Sequence, residues 1–231
     1  MHPLLLLTAA TLLVPSATPV GPLSTPTNPG IAAAEGFDFL YGCHPDGPGS
    51  WSCLSSIIVW NPNIVFFRWD FDGRGTWDTP FGVDTAIYYR YTAEGVWRIC
   101  AQAWDGITVV DGQPAGPIIC KGLVTGGALS FQPGTWDRSS TGAVFASWDP
   151  PAGFLFPTDG PRFVAVYTVP PGPINVSAVP VFRSLRTGIS VFHVDRAEIV
   201  AAYGPGQHVV YMLGEWGGGR FFTLPATITI L

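Results

Sequence analysis

Phe67-Arg68-Trp69-Asp70-Phe71-Asp72-Gly73-Arg74-Gly75-Thr76-Trp77-Asp78, followed by Tyr91-Thr92-Ala93-Glu94-Gly95-Val96-Trp97 and a segment closing in Trp104-Asp105-Gly106, decides the fold class. After Gly95 the side chains alternate. Trp97, Ile99, Ala101 and Ala103 fall on one face, and Arg98, Cys100, Gln102 and Trp104 on the other. A period of two is the strand period, because successive side chains leave a pleated backbone on opposite sides. The run from Ile64 to Phe71 is almost wholly apolar and aromatic, which suits a strand inside a sandwich. Asn61-Pro62-Asn63 before it and Asp72-Gly73 after it are turns by composition.

These residues resemble the PKD repeat, an immunoglobulin-like extracellular domain. That family carries Trp-Asp-Phe-Gly-Asp-Gly, then a Tyr, a Gly and an alternating strand ending in Asp. Trp69-Asp70-Phe71-Asp72-Gly73 and Tyr91…Gly95-Val96-Trp97…Asp105 follow this pattern, with Asp72 where the family has Gly and Trp97 where it has Tyr. The resemblance covers residues 36–125. It implies a seven-stranded sandwich with Trp69, Tyr91 and Trp97 in the core, and a spacer or binding role without chemistry of its own.

The chain has 231 residues, enough for one large or two small domains. Charged residues make up 12%, against about 25% in an average globular protein. With Gly 28 and Pro 23, turns are many and helices few; the best helical candidate is the short stretch Asp195-Arg196-Ala197-Glu198. The net charge of −5, with no basic run, excludes a nucleic-acid footprint.

Residues 4–14 are apolar, too short for a stable membrane span of about 20 residues. They fit a signal peptide over 1–17 with small residues at Ser16-Ala17, although no Lys or Arg precedes the run. A buried N-terminal strand or a retained anchor are the other readings. Residues 18–35, rich in Pro, Ser, Thr and Gly, read as a linker or arm able to join a neighbouring subunit's sheet. The four cysteines agree with export and an oxidising compartment. Three pairings are open. Cys43 with Cys53, closing a Pro/Gly-rich loop over His44–Ser52, and Cys100 with Cys120, joining neighbouring strands on the outward face, are favoured. A zinc site lacks a Cys-x-x-Cys.

Gly126-Gly127 marks a boundary. Beyond it about seven short strands separated by Pro, Gly and Asp turns suggest a second sandwich. Val144…Ser147-Trp148-Asp149-Pro150-Pro151, Tyr167 and Val209-Val210-Tyr211-Met212…Gly217-Gly218-Gly219 resemble a fibronectin type III domain over 126–231, which implies Trp148 in its core. The expected architecture is all-β: two consecutive immunoglobulin-like β-sandwich domains after a signal peptide.

Three sites are candidates. Asp70, Asp72 and Asp78 place oxygens at alternate positions, as a calcium loop does. Arg74 and Phe81 break that pattern, and the same carboxylates suit turn capping. Trp51, Trp77, Trp104 and Trp136 are expected as exposed aromatics, for protein contact or for stacking on sugars. His193 and Asp195 could share a pocket, but no nucleophile elbow, phosphate loop or metal motif is present, so no catalytic residue is assigned. The sequence therefore points to a secreted, non-enzymatic extracellular or cell-surface protein. It would serve structure or adhesion through contact with other subunits, including copies of itself. A carbohydrate-binding accessory module and a calcium-stabilised spacer are the alternatives.

Overall fold

In the computed structural model of the chain, residues 12–13, 36–139, 142–157, 160–169, 175–183 and 188–231 are described. The signal peptide and the arm expected over 1–35 lie outside them, apart from Leu12–Leu13. In chain order the strands are β1 (Leu12–Leu13), β2 (Phe37–Gly47), β3 (Ser50–Val59), β4 (Phe66–Asp70), β5 (Ala86–Tyr91), β6 (Gly95–Trp104), β7 (Val109–Val110), β8 (Gln113–Pro114) and β9 (Ile118–Thr125). After Gly126 and Gly127 come β10 (Ala128–Gln132), β11 (Thr135–Trp136), β12 (Val144–Asp149), β13 (Pro161–Thr168), β14 (Asn175–Arg183) and β15 (Ser190–Val194). The helix α1 (Arg196–Tyr203), β16 (Gly206–Trp216), β17 (Gly219–Phe222) and β18 (Ala226–Ile230) complete the chain. The protein is all-β, with α1 the one helix among the described residues.

In the first half, a sheet in the order β1-β5-β3-β2 faces the run β4-β6-β9. Phe37, Phe39, Trp51, Trp69, Phe71, Tyr89, Tyr91 and Trp97 fill the core between them. Tyr91 donates its hydroxyl to the Phe71 carbonyl at 2.6 Å, and the Trp97 indole donates to Thr125 Oγ1 at 2.8 Å, so the buried polar ends are bonded. Cys43 is joined to Cys53 and Cys100 to Cys120, each pair directly opposite on neighbouring strands. The loop expected over His44–Ser52 is instead a hairpin. Strands β2 and β3 run on past the disulfide, and Asp46 accepts from Ser50 and Ser52 and pairs with Arg90 at 3.0 Å across the turn.

In the second half, β10-β12-β15-β14 faces β13-β16-β18. Strand β14 belongs to both layers: Asn175–Ser177 pair with β13, and Ala178 onward pairs with β15. Trp148 lies in this core, stacked on Phe221 at 4.2 Å, with its indole donating to the Gly126 carbonyl at 3.0 Å.

The halves are joined through a shared sheet. Strand β17 pairs in parallel with β9, so one sheet runs from β4 to β13 and beyond. Neighbouring residues of this sheet serve opposite cores. Val96, Val124, Val210, Met212 and Phe221 enter the second core, while Trp97, Leu123, Tyr211 and Phe222 enter the first. At the junction a Cβ on Gly219 would lie 2.0 Å from the Gly122 carbonyl oxygen. Gly219→Ala is therefore expected to cost about 1–3 kcal/mol, the usual range for overpacking. Gly42→Ala, whose Cβ meets nothing within 4 Å, is expected to stay within about 0.5 kcal/mol of the parent. Guanidinium unfolding midpoints check this; equal midpoints would show that the junction does not constrain the fold.

Candidate functional site

The outward face of β4 and β6 carries a cluster of aromatic rings around one cation. Position 68 faces out because Phe67 and Trp69 face the core. The Arg68 guanidinium lies 4.4 Å from the ring centres of both Trp77 and Phe81. Its Nε donates to Gln102 Oε1 at 2.8 Å, and Gln102 in turn donates to the Gly116 carbonyl at 3.2 Å. Trp104 packs against Phe66 and Phe81, each at 5.4 Å, and its indole donates to the Thr108 carbonyl at 2.6 Å. Ile118, opposite Gln102 on β9, stands exposed on the same face.

Two of the four tryptophans expected at the surface are thus brought together, both half-buried. The other two require correction. Trp51 is fully buried, because β3 starts at Ser50 and the positions Trp51, Cys53 and Ser55 all turn inward. Trp136 is buried at 3% because β11 adds to the β18 edge, where Leu231 N–H donates to the Trp136 carbonyl at 3.0 Å. No row of four exposed rings exists.

His193 and Asp195 do line one open groove of about 550 Å³, with Arg138 and Arg196. The Asp195 carboxylate caps α1, accepting from Glu198 N–H at 3.1 Å, and His193 lies edge-on to Phe145 at 5.9 Å. Among the described residues lining the groove there is no Ser, Cys, Thr or Tyr.

The acidic turn follows β4. Asp70 accepts from the N–H groups of Asp72 (3.2 Å), Gly73 (2.7 Å) and Gly75 (2.8 Å). Asp72 accepts from Arg74 N–H at 3.1 Å and lies 3.1 Å from Arg74 Nε. Asp78 accepts from Phe71 N–H at 2.7 Å. Gly73, at φ 71°, permits the reversal, and its missing side chain leaves room for Arg98, whose Cβ an added Cβ would meet at 2.6 Å. One carboxylate oxygen from each of Asp70, Asp72 and Asp78 lies within 4.8 Å of the others, so these three are the residues able to hold a hard cation. Every one of them is already engaged in holding the turn. Burial, and then the nearby Asp72 charge, push the Asp70 and Asp78 carboxyls above their ordinary value, against the pull of the amides they accept from.

No protein-family model matches the chain, and no curated protein matches its sequence.

The two raised carboxyls set a pH dependence. The folded chain holds these protons more tightly than the unfolded chain, so their contribution is fully present below the ordinary value of 3.8 and is lost as pH rises through the folded values. Asp78→Asn keeps an acceptor for Phe71 N–H and removes one charge. It is expected to flatten the fall of Tm with pH just above 3.8. A wild-type Tm that does not fall in that window would refute the account. In the same series, a rise in Tm with millimolar calcium that Asp78→Asn abolishes would identify a cation site.

Proposed function

We propose that this chain is a secreted, non-enzymatic subunit of an extracellular or cell-surface assembly, working through protein contact. The observation that carries the reading is the Trp77–Arg68–Phe81–Trp104–Phe66 cluster on the outward face, with exposed Ile118 on the same face. Contiguous apolar surface of this kind marks interaction sites, and Trp, Tyr and Arg dominate interface energetics. The rings are already held in place, so little side-chain entropy is lost on contact.

Two observations support the compartment and the domain type. Two disulfides fit an oxidising environment, and no helix among the described residues is long and apolar enough to cross a membrane. The orders β5-β3-β2 and β4-β6-β9 match the A-B-E and C-F-G sheets of an immunoglobulin-like domain, which supports the PKD resemblance. The second half, with β10-β12-β15 opposite β13-β16-β18, supports a second domain of the same class, fused to the first through β9 and β17. The sugar-binding alternative rested on a row of four exposed tryptophans, and with Trp51 and Trp136 buried it has lost that basis.

Light scattering on the oxidised mature chain is expected to give ordered species larger than one chain. Trp77→Ala combined with Trp104→Ala is expected to give smaller species, with stability lowered by about 2–3 kcal/mol, because both rings are half-buried. A wild-type chain that stays monomeric at high concentration removes this reading.

A further inference from the structure

Three strands border the first half: β2, β4 and β5. Ile57 N–H donates to the Thr85 carbonyl at 2.7 Å. Since hydrogen-bonded pairs alternate in an antiparallel ladder, Ile87, Tyr89 and Tyr91 turn their amides toward β3, and Ala86, Tyr88 and Arg90 turn theirs to the outer edge. The same alternation turns Phe39 and Tyr41 of β2 outward.

Two of these borders are closed. On β2, the outward carbonyls of Phe39 and Tyr41 accept from Lys121 Nζ and Arg220 Nη1, which reach over from β9 and β17. On β4, Phe67 exchanges hydrogen bonds with Gly82 at 2.8 and 2.9 Å, and Trp69 is bonded to Thr79 and Asp78. Among the described residues the β5 border has no such device, and its only strand partner is Leu12–Leu13, aligned in parallel with Tyr89 and Arg90. Ala86 and Tyr88 are exposed, and the strand has no proline or bulge. Its one charged side chain, Arg90, is drawn back onto Asp46. An edge left in this state is a template for another strand.

We propose that the outer edge of β5 is a docking edge for the same edge of a second copy, paired antiparallel about a twofold axis, and that the segment at Leu12–Leu13 covers it until the leader is removed. This rests on the assembly reading above and gives it a second contact. An edge with outward amides at Ala86, Tyr88 and Arg90 is self-complementary under a twofold axis, with Tyr88 at its centre and Ala86 opposite Arg90. The two leucines show that the edge takes an extended backbone. They cover two positions, whereas a mate would cover all six residues of β5.

The test uses the full chain. Leu12→Pro with Leu13→Pro takes two backbone donors from the covering segment and uncovers the edge without deleting anything. Light scattering should then give twice the mass of the full-length parent. Exchange of the Tyr88 amide should slow on the order of tenfold between dilute and concentrated samples. Adding Tyr88→Pro should restore the parent's mass. It removes an outward N–H and leaves the β3 ladder intact, a placement edge strands tolerate. Ala86→Pro is the second block, and near-UV circular dichroism confirms folding of each. An uncovered chain that keeps the parent's mass overturns the proposal. So does a dimer indifferent to both prolines; if that dimer dissolves on Trp77→Ala with Trp104→Ala, the assembly reading stands while the edge proposal falls.

Discussion

The parallel contact of β17 with β9 is the constraint on which the rest of the molecule depends. It lets one sheet serve two cores, and a sheet buried on both faces must be apolar at consecutive positions. That is why Leu123-Val124, Val210-Tyr211-Met212 and Phe221-Phe222 are unbroken apolar runs where an ordinary half-exposed strand would alternate. The approach is close enough that Gly122 N–H donates to the Gly218 carbonyl at 2.7 Å and only glycine fits at position 219. Polar ties flank it. The buried Tyr41 hydroxyl donates to the Gly122 carbonyl, and Arg220 bonds the Tyr41 carbonyl while pairing with Glu215 at 3.0 Å. Burial pushes the Tyr41 hydroxyl far above its ordinary pKa, so it stays a donor at neutral pH.

Lys121 and Arg220 therefore each have two tasks. Lys121 pairs with Asp38 at 2.8 Å and lies over the Phe39 ring while it caps the β2 edge. A chain with so few charges places these two where an unpaired backbone carbonyl would otherwise invite a neighbour. The low charge content and the guarded edge are parts of one solution: surface repulsion is weak, so unwanted strand pairing is blocked group by group.

Local pattern carried the all-β reading well. Alternation alone assigned Trp97 inward and Trp104 outward, and the spacing of Asp70, Asp72 and Asp78 brought three carboxylates into one turn. Failures arose where position depends on distant chain. Trp136 is buried by a parallel pairing with the C-terminal strand, and nothing near residue 136 encodes that partner. Trp51 is different, because Trp51, Cys53, Ser55 and Ile57 already have the strand period. Pro48 and Gly49 drew attention to a loop when they only turn a hairpin, and Asp46 fastens it. The merging of two sheets at β9 and β17 was illegible for the same reason as Trp136. Its local traces are the unbroken apolar runs Leu123-Val124, Val210-Tyr211-Met212 and Phe221-Phe222.

The Arg68 cluster also bears on what kind of partner this surface suits. Stacking on a sugar needs a flat, open ring face. Here Arg68 already occupies one face of Trp77 and one of Phe81. Trp104 meets Phe66 and Phe81 at tilts of 37° and 48°, so the rings present a corrugated surface and not a platform. Corrugation of this kind favours interdigitation with another packed surface, where each groove receives a side chain. Arg68 contributes to that outcome in two ways. Its contacts with the two rings, worth about 0.5–1 kcal/mol each at exposed sites, fix their orientation before any partner arrives. Its hydrogen bond to Gln102 ties the guanidinium to β6.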